Sequence, residues 1–324
     1  RFLFLSLISP IDLYICFIIS LLINMIFDIE HITNYKYEYG VSFCHNIATL
    51  KPKSFPGQLL MDYELDISPI PTDISERKDY FNNVVTRFSI QKHHKELIVR
   101  AKSRIDRDYS LQLELEDLKN AKKLSVNDVI ELMKGIDEDV LNARQFILES
   151  PLISNYSKEI KKYARKSFKA NRSLYEASFE LMKRIFEDFD FVSGFTNIAT
   201  PLNEVMHEKK GVCQDFAQIA IACLRSMGLP ARYVSGYIET IPPEGMEKLV
   251  GTDASHAWFS VFFPKFGWMD FDPTNNQTPK NQHIVLAHGR DYYDVAPLKG
   301  VIYSTGKNEM EVSVDIRPAL LKSH

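Results

Sequence analysis

The chain predicts an α+β protein in which an antiparallel β-sandwich domain precedes a mixed core, and three observations predict it. From Ile32 to about Ile105 apolar residues recur with a period of two. Between roughly residues 110 and 210 the spacing becomes helical. After a second apolar helix, which opens at Cys213, the chain returns to aromatic and β-branched strands. With 324 residues, 45% of them hydrophobic and 25% charged, there is apolar material enough for two cores.

Residues 1–24 stand apart. Leu13 to Phe27 is a mostly apolar run of fifteen residues interrupted by Asn24, short of the roughly 20 that a membrane-spanning helix needs. Asp12 and Asp28 flank it, Arg1 alone offers a positive end, and no small-residue cleavage site precedes the first strand, so neither an anchor nor a signal peptide is expected. Because the first methionine is Met25, residues 1–24 are expected to be a non-native or disordered apolar extension, with no stable membrane insertion.

The β domain is expected over residues 25–109. Thr33, Tyr35, Tyr37 and Tyr39 alternate with polar residues, and Met61, Tyr63, Leu65 and Ile67 alternate with Asp62, Glu64 and Asp66. Val84, Thr86, Phe88 and Ile90 form a third row, and Leu97, Val99 and Ala101 alternate with Arg100 and Lys102. Several short alternating strands in one segment read as a sandwich. The acidic row reads as a solvated strand face and not as a metal site. Within Asp79-Tyr80-Phe81-Asn82-Asn83, Asn82 is of a type suited to positive φ.

Residues 110–154 are expected to be a helical linker region. Ser125 caps a helix through Met133, a second runs from Asp137 to Leu148, and Glu149-Ser150-Pro151 ends it. The core is expected over 155–324. It begins with helices at Lys158–Phe168 and Leu174–Phe186, the latter turning Leu174, Phe179, Met182 and Ile185 inward. Thr200 and Pro201 supply the cap and first position of a short helix. The late strand carrying Met310, Val312, Val314 and Ile316 is placed in the core as well.

Chemistry concentrates at Cys213. Behind it Phe216, Ala217, Ile219, Ala220, Cys223, Leu224 and Met227 recur at helical spacing, and Gly228 stands where a left-handed C-terminal cap belongs. A cysteine at the start of a buried helix meets free backbone N–H groups and the positive end of the helix dipole, which favour the thiolate required for nucleophilic attack. Downstream, Ala257 to Phe263, a Pro264-Lys265-Phe266-Gly267 turn and Trp268 to Phe271 predict a β-hairpin. Folding about Pro264 sets position 256 opposite position 272. Singly, Cys213 reads as a small buried hydrophobe, His256 as a satisfied strand histidine and Asp272 as the head of an Asp-Pro turn. Together they read as a nucleophile, a proton acceptor and a carboxylate that orients it.

Four blocks carry a resemblance: Gly211-Val212-Cys213-Gln214-Asp215-Phe216-Ala217, then Met227 to Tyr237, then Ser255-His256-Ala257-Trp258, then Gly267 to Thr274. In this order they resemble the bacterial transglutaminase-like superfamily, whose members are often described as candidate cysteine proteases. Gly289 to Gly300 is similar to its C-terminal signature, and His31 to Tyr37 to the start of its companion N-terminal domain. The resemblance implies a papain-like, transglutaminase-like core with Cys213, His256 and Asp272 as its catalytic residues. It implies attack on a peptide or glutamine-type amide through a thioester.

Water as acceptor makes such a protein a hydrolase and an amine makes it a transglutaminase. Eukaryotic transglutaminases place a tryptophan before the nucleophile to help the oxyanion, whereas Trp258 and Trp268 both follow Cys213, which favours the hydrolase. A non-catalytic binding module that retains the three residues is the alternative from another class. The irregular stretch from Glu239 to Ser255 is expected to overhang the site, and Arg232, Tyr237 and Arg290 are expected to be structural rather than to line the cleft.

A net charge of −3 and the lack of a basic run argue against nucleic acid. Cys16, Cys44, Cys213 and Cys223 have neither zinc spacing nor disulfide density, and no carboxylate cluster resembles a calcium loop, so no metal or cofactor is expected. A reducing, cytoplasmic compartment follows from the same reading; a protein or peptide substrate is what the resemblance implies, and the oligomeric state is left open.

Overall fold

The computed structural model describes residues 25–108, 115–240, 254–303 and 306–319. The expectations for residues 1–24, and for most of the segment from Glu239 to Ser255, lie outside them. Among the described residues no helix is long and apolar enough to cross a membrane.

The alternating strands form two four-stranded antiparallel sheets. One has the order β14-β1-β6-β3, with β1 (Met25–Val41), β3 (Gln58–Ser68), β6 (His94–Arg107) and β14 (Asn308–Ala319). The other has the order β13-β2-β5-β4, with β2 (Cys44–Lys51), β4 (Asp73–Lys78), β5 (Val84–Ile90) and β13 (Leu298–Ile302). Inward side chains of both, among them Tyr37, Leu50, Phe88, Leu97 and Val99, share one core. The acidic row of β3 faces solvent as expected, Glu64 and Asp66 meeting Lys102 and Arg100 of β6 at 4.0 and 3.7 Å. A bulge between Leu60 and Asp62 turns Met61 out of the apolar row, leaving it 51% exposed.

Between the sandwich and the core run α1 (Leu115–Ala121), α2 (Val126–Leu132) and α3 (Glu138–Arg144), which ends in a 3-10 turn over Gln145–Ile147. Ser125 caps α2 through a reciprocal pair with Asp128, as expected. The core helices are α4 (Lys158–Ser167), α5 (Leu174–Asp188), α6 (Leu202–Glu208) and α7 (Cys213–Arg225). Two local expectations are corrected. Phe179 lies 40% exposed while Ala177, Ser178 and Leu181 join Leu174, Met182 and Ile185 on the inner face of α5, because these six follow helical spacing and position 179 falls beside their stripe. Pro201 is the N-cap of α6 and not its first residue, and Thr200 makes no cap bond to it.

The core sheet has the order β11-β10-β9-β12, from β9 (Ala231–Ile238), β10 (Ala254–Phe263), β11 (Gly267–Phe271) and β12 (His283–Gly289). α7, buried from Asp215 to its end, packs on β9 and β10, with α4, α5 and α6 around it. A further correction concerns the C-terminal strands, which sequence placed with the core. β14 pairs with β1, setting Val314 opposite His31 and Ile316 opposite Ile29, and β13 pairs with β2. Alternation marks these residues as strands, but the partner of a strand is decided by which sheet edge lies open. On β14 only Val314 and Ile316 of the expected apolar row are buried, because Met310 and Val312 run past the core.

β12 is an edge strand, and two carboxamides of the β domain cover its edge. Gln58 accepts the Val285 N–H at 2.8 Å and donates to the Val285 carbonyl at 2.7 Å. Asn83 does the same at His288, accepting at 3.0 Å and donating at 2.8 Å. Each side chain thereby supplies the donor and acceptor that a neighbouring strand would supply. Gln58→Ala and Asn83→Ala are each expected to lower unfolding free energy by about 1–3 kcal/mol, because each leaves a buried donor and acceptor unpaired. Urea unfolding measures it, and losses under about 0.5 kcal/mol would show that water replaces the amides.

Candidate functional site

The turn before Cys213 is built around Asp215. Its carboxylate accepts the Val212 N–H at 2.8 Å and the Thr196 hydroxyl at 2.6 Å, which ties the loop preceding α7 to the first turn of the helix. Gly211 is required here because a Cβ would lie 2.7 Å from the Asp215 carboxylate. A short parallel pairing of β7 (Asp190–Phe191) with β8 (Lys210–Gly211) holds the loop from the other side. At the far end of α7, Gly228 has φ of 78°, the left-handed cap that the sequence predicts. Cys213 is left half-buried at the helix start, while Cys223 is sealed in the core and its thiol is pushed up to about 12 by burial.

The hairpin forms with a different register from the one predicted. Phe259 faces Phe271 and Phe263 faces Gly267, because the turn centres on Lys265, whose φ is 73°, and not on Pro264. Strand pairing therefore ends before His256 is reached. A tight loop restores the proximity: Asp272 and Gln277 exchange backbone hydrogen bonds at 2.9 and 3.2 Å, turning the Asp272 side chain back toward β10. His256 Nε2 and Asp272 Oδ2 lie 2.8 Å apart.

Asp272 is fully buried and its carboxylate is surrounded by donors. Oδ1 accepts the N–H groups of Thr274 and Asn275 at 3.0 and 3.2 Å. Oδ2 receives His256 at 2.8 Å, Asn275 Nδ2 at 2.7 Å and His283 Nε2 at 3.0 Å. Burial opposes its ionisation, but the hydrogen bonds from His256 and His283 outweigh burial and hold it well below the usual carboxylate range. Burial also opposes charge on His256. There the Asp272 hydrogen bond and then that of Cys213 prevail, raising the imidazole from 6.5 to about 10. Since the Nε2–H is donated to Asp272, Nδ1 is the nitrogen left for the thiol.

His283 and Asn275 were not among the sequence candidates. His283 is fully buried, its Nδ1 accepts the Lys280 N–H at 3.3 Å, and burial pushes it down, so its Nε2–H is a fixed donor to Asp272. No local motif marks it, because it reaches the site from β12. Asn275 had a signal in the Asp-Pro-Thr-Asn turn, whose side chains bond within the turn. The ligand atoms of His256, Asp272 and His283 lie within 4.8 Å of one another, close enough for a shared metal ion. Their contacts are those of two imidazoles hydrogen-bonded to one carboxylate oxygen, so the electron pairs that would bind a metal are already engaged. Arg232 stacks over Trp268, Tyr237 bonds His31 at 3.0 Å, and Arg290 pairs with Asp294 at 2.9 Å.

Comparison with known proteins accords with the blocks quoted above. Residues 27–106 match the bacterial transglutaminase-like N-terminal region, and residues 161–273 match the transglutaminase-like superfamily. An uncharacterised protein of Mycobacterium tuberculosis is 36% identical over 301 residues, covering 90% of this chain and 92% of its own. The chain belongs to the bacterial transglutaminase-like superfamily. A crystal structure of a candidate cysteine protease from Cytophaga hutchinsonii, 21% identical, superposes with a TM-score of 0.70 over 93% of both chains, which shows a shared fold. A protein-glutamine gamma-glutamyltransferase of Pseudomonas aeruginosa is 33% identical over 100 residues, 29% of this chain and 15% of that one.

The raised His256 fixes the sign of a pH effect. A folded-state value of about 10 against 6.5 means that the folded protein keeps a proton the unfolded chain releases between those limits. The stabilisation is complete below pH 6.5 and is lost as pH rises toward 10. The stability advantage of the wild type over His256→Gln, measured by urea unfolding, is expected to be largest near the lower limit and to shrink toward the upper. An advantage that grows with pH would contradict the assignment.

Proposed function

We propose that the protein is a cysteine-nucleophile amide hydrolase acting on peptide or glutamine-type amides, a transglutaminase-like cysteine protease in kind. The observation that carries this is the half-buried thiol at a helix start beside an imidazole whose far nitrogen is held by a buried carboxylate. Cys213 Sγ attacks the amide carbon as the thiolate, with its proton on His256. The oxyanion forms against the Cys213 backbone N–H, a type of donor worth roughly 3 kcal/mol of barrier. His256 passes the proton to the departing nitrogen, which leaves as amine or ammonia, and a thioester remains on Cys213. Water, deprotonated by His256, attacks the thioester, releases the acid and regenerates the thiol. Asp272 orients His256 and stabilises its charged form throughout.

A second reading is supported by the name of the Pseudomonas aeruginosa relative: an amine replaces water as acceptor and the product is a new amide. The three free thiols among the described residues suit a reducing compartment such as the cytoplasm.

Mass spectrometry separates these readings. The full chain is incubated with an unfolded substrate protein and a tagged primary amine, with Cys213→Ala as control. New chain ends or deamidated glutamines without tag are expected; tag on glutamine would establish the transferase reading, and no difference from Cys213→Ala would favour a binding module. Asp272→Asn is expected to lower turnover on the order of 10⁴-fold, as loss of an orienting carboxylate does in a comparable triad. A loss below about 10-fold would remove Asp272 from the mechanism.

A further inference from the structure

A cavity of about 560 Å³ lies near the turn of the β10–β11 hairpin, bounded by Tyr80, Phe81, Phe146, Arg232, Trp268 and His288. Its size falls in the range of small-molecule sites. Cys213, His256 and Asp272 do not line it.

Arg232 gives the cavity a charge that no carboxylate contacts among the described residues, although the charge of Asp270 acts on it from a distance. Its guanidinium lies 4.3 Å from the centre of the Trp268 ring, an arrangement that fixes its plane. Its Nε is buried and has no hydrogen-bond partner, and among the described residues no carboxylate forms an ion pair with it. The reason is visible in the strand register. Arg232 faces Ser260 across β9 and β10, and Ser260 faces Asp270 across β10 and β11. The backbone of Asp270 is therefore two strands from that of Arg232, roughly 10 Å at ordinary strand spacing, and its carboxylate bears on the guanidinium without meeting it in an ion pair. Asp270 is turned to Trp258 instead, whose indole N–H reaches its Oδ2 at 3.2 Å. The Ser260 hydroxyl and the second Asp270 oxygen also lack partners.

The surroundings carry charge of both signs, Lys53 standing near the carboxylate of Asp79 as well as near Arg232. Lys53 is tied to the Phe81 carbonyl at 2.7 Å and to Asn83 at 3.3 Å. Burial, followed by the charge of Arg232, lowers it to about 8. His288 is pushed down by burial, then by Arg232 and Lys53, and is held neutral. Lys265 contributes a cation to the lining, and Asp139, exposed, contributes an acid. A mostly buried guanidinium whose one nearby counter-charge, Asp270, makes no hydrogen bond or ion-pair contact with it still carries a desolvation cost that an incoming anion offsets.

We propose that this cavity is a second ligand site, taking a small organic anion whose carboxylate or phosphate pairs with Arg232 and whose flat apolar body lies against Trp268, Phe146 and Phe81. The site is independent of amide chemistry at Cys213, and its test reads binding alone. Phenylacetate, phenyl phosphate and neutral benzyl alcohol are titrated by calorimetry into the full chain, into Arg232→Gln and into Ser260→Glu, with circular dichroism checking that each is folded. Ser260→Glu sets an internal carboxylate directly across from Arg232 and so competes with the ligand.

One of the two anions is expected to bind the wild type at least about tenfold more tightly than benzyl alcohol, the factor that a charge-assisted hydrogen bond supplies. The tighter of the two assigns the anion as carboxylate or phosphate. Both variants are expected to lose that margin. No binding of either anion to the wild type, equal binding of benzyl alcohol, or undiminished anion binding in a folded Ser260→Glu would each overturn the proposal; should Arg232→Gln fail to fold, Ser260→Glu decides.

Discussion

The buried carboxylate of Asp272 is the constraint on which the site depends. An ionised carboxylate out of reach of water costs several kcal/mol unless its lone pairs are filled by donors. Here five hydrogen bonds fill them, from His256 on β10, from His283 on β12, and from the side chain and two backbone N–H groups of the 272–277 turn. Three separate parts of the core must be in position together for the charge to be tolerated. The solvation of one carboxylate therefore fixes the direction of the His256 ring, and with it the nitrogen that is left for Cys213.

That requirement reaches into the β domain. β12 carries His283, and its outer edge is completed by Gln58 and Asn83, while Arg107 Nε bonds the His283 carbonyl at 3.0 Å. Trp258 stands edge-on to the His283 ring, its centroid 5.3 Å away. At Gly236 the sheet leaves no room for a side chain, since a Cβ would lie 2.2 Å from the Ile284 carbonyl and 2.5 Å from Trp258. The sandwich is thus a buttress for the strand that supplies a donor to Asp272. The C-terminal strands β13 and β14 lie in that buttress, so the chain returns after forming the core to complete the domain it began with.

What could be read from the sequence was whatever local periodicity or a short motif encodes. The alternation of β1, β3, β5 and β6, the Ser125 cap, the apolar run behind Cys213 and the left-handed Gly228 are all local. His256 and Asp272 were legible as a pair although the register used to join them was two residues out, because the Asp272–Gln277 turn makes up the difference. His283 was not legible: it is an ordinary residue in an apolar strand, and only the order β10-β9-β12, with Asp272 curling over its end, brings it to the carboxylate. The placement of β14 beside β1 failed for the same reason, since alternation specifies a face and not a neighbour.

The three groups differ in their access to water, and the difference bears on the chemistry proposed. Cys213 is half-buried, whereas His256 and Asp272 are sealed beneath it. With the carboxylate held down and the imidazole raised to about 10, His256 keeps its proton through the neutral range. A ring in that state is poised as the acid more than as the base. For an amide this is the useful assignment, because nitrogen leaves poorly unless it is protonated and the thiolate needs no further base to attack. Deacylation asks the reverse of His256, which must accept a proton from water. Once sulfur is acylated the thiolate charge is gone, and the part of the elevation that comes from Cys213 goes with it. The same residue can then serve as base in the second half of the cycle, with Asp272 holding the ring in one orientation through both.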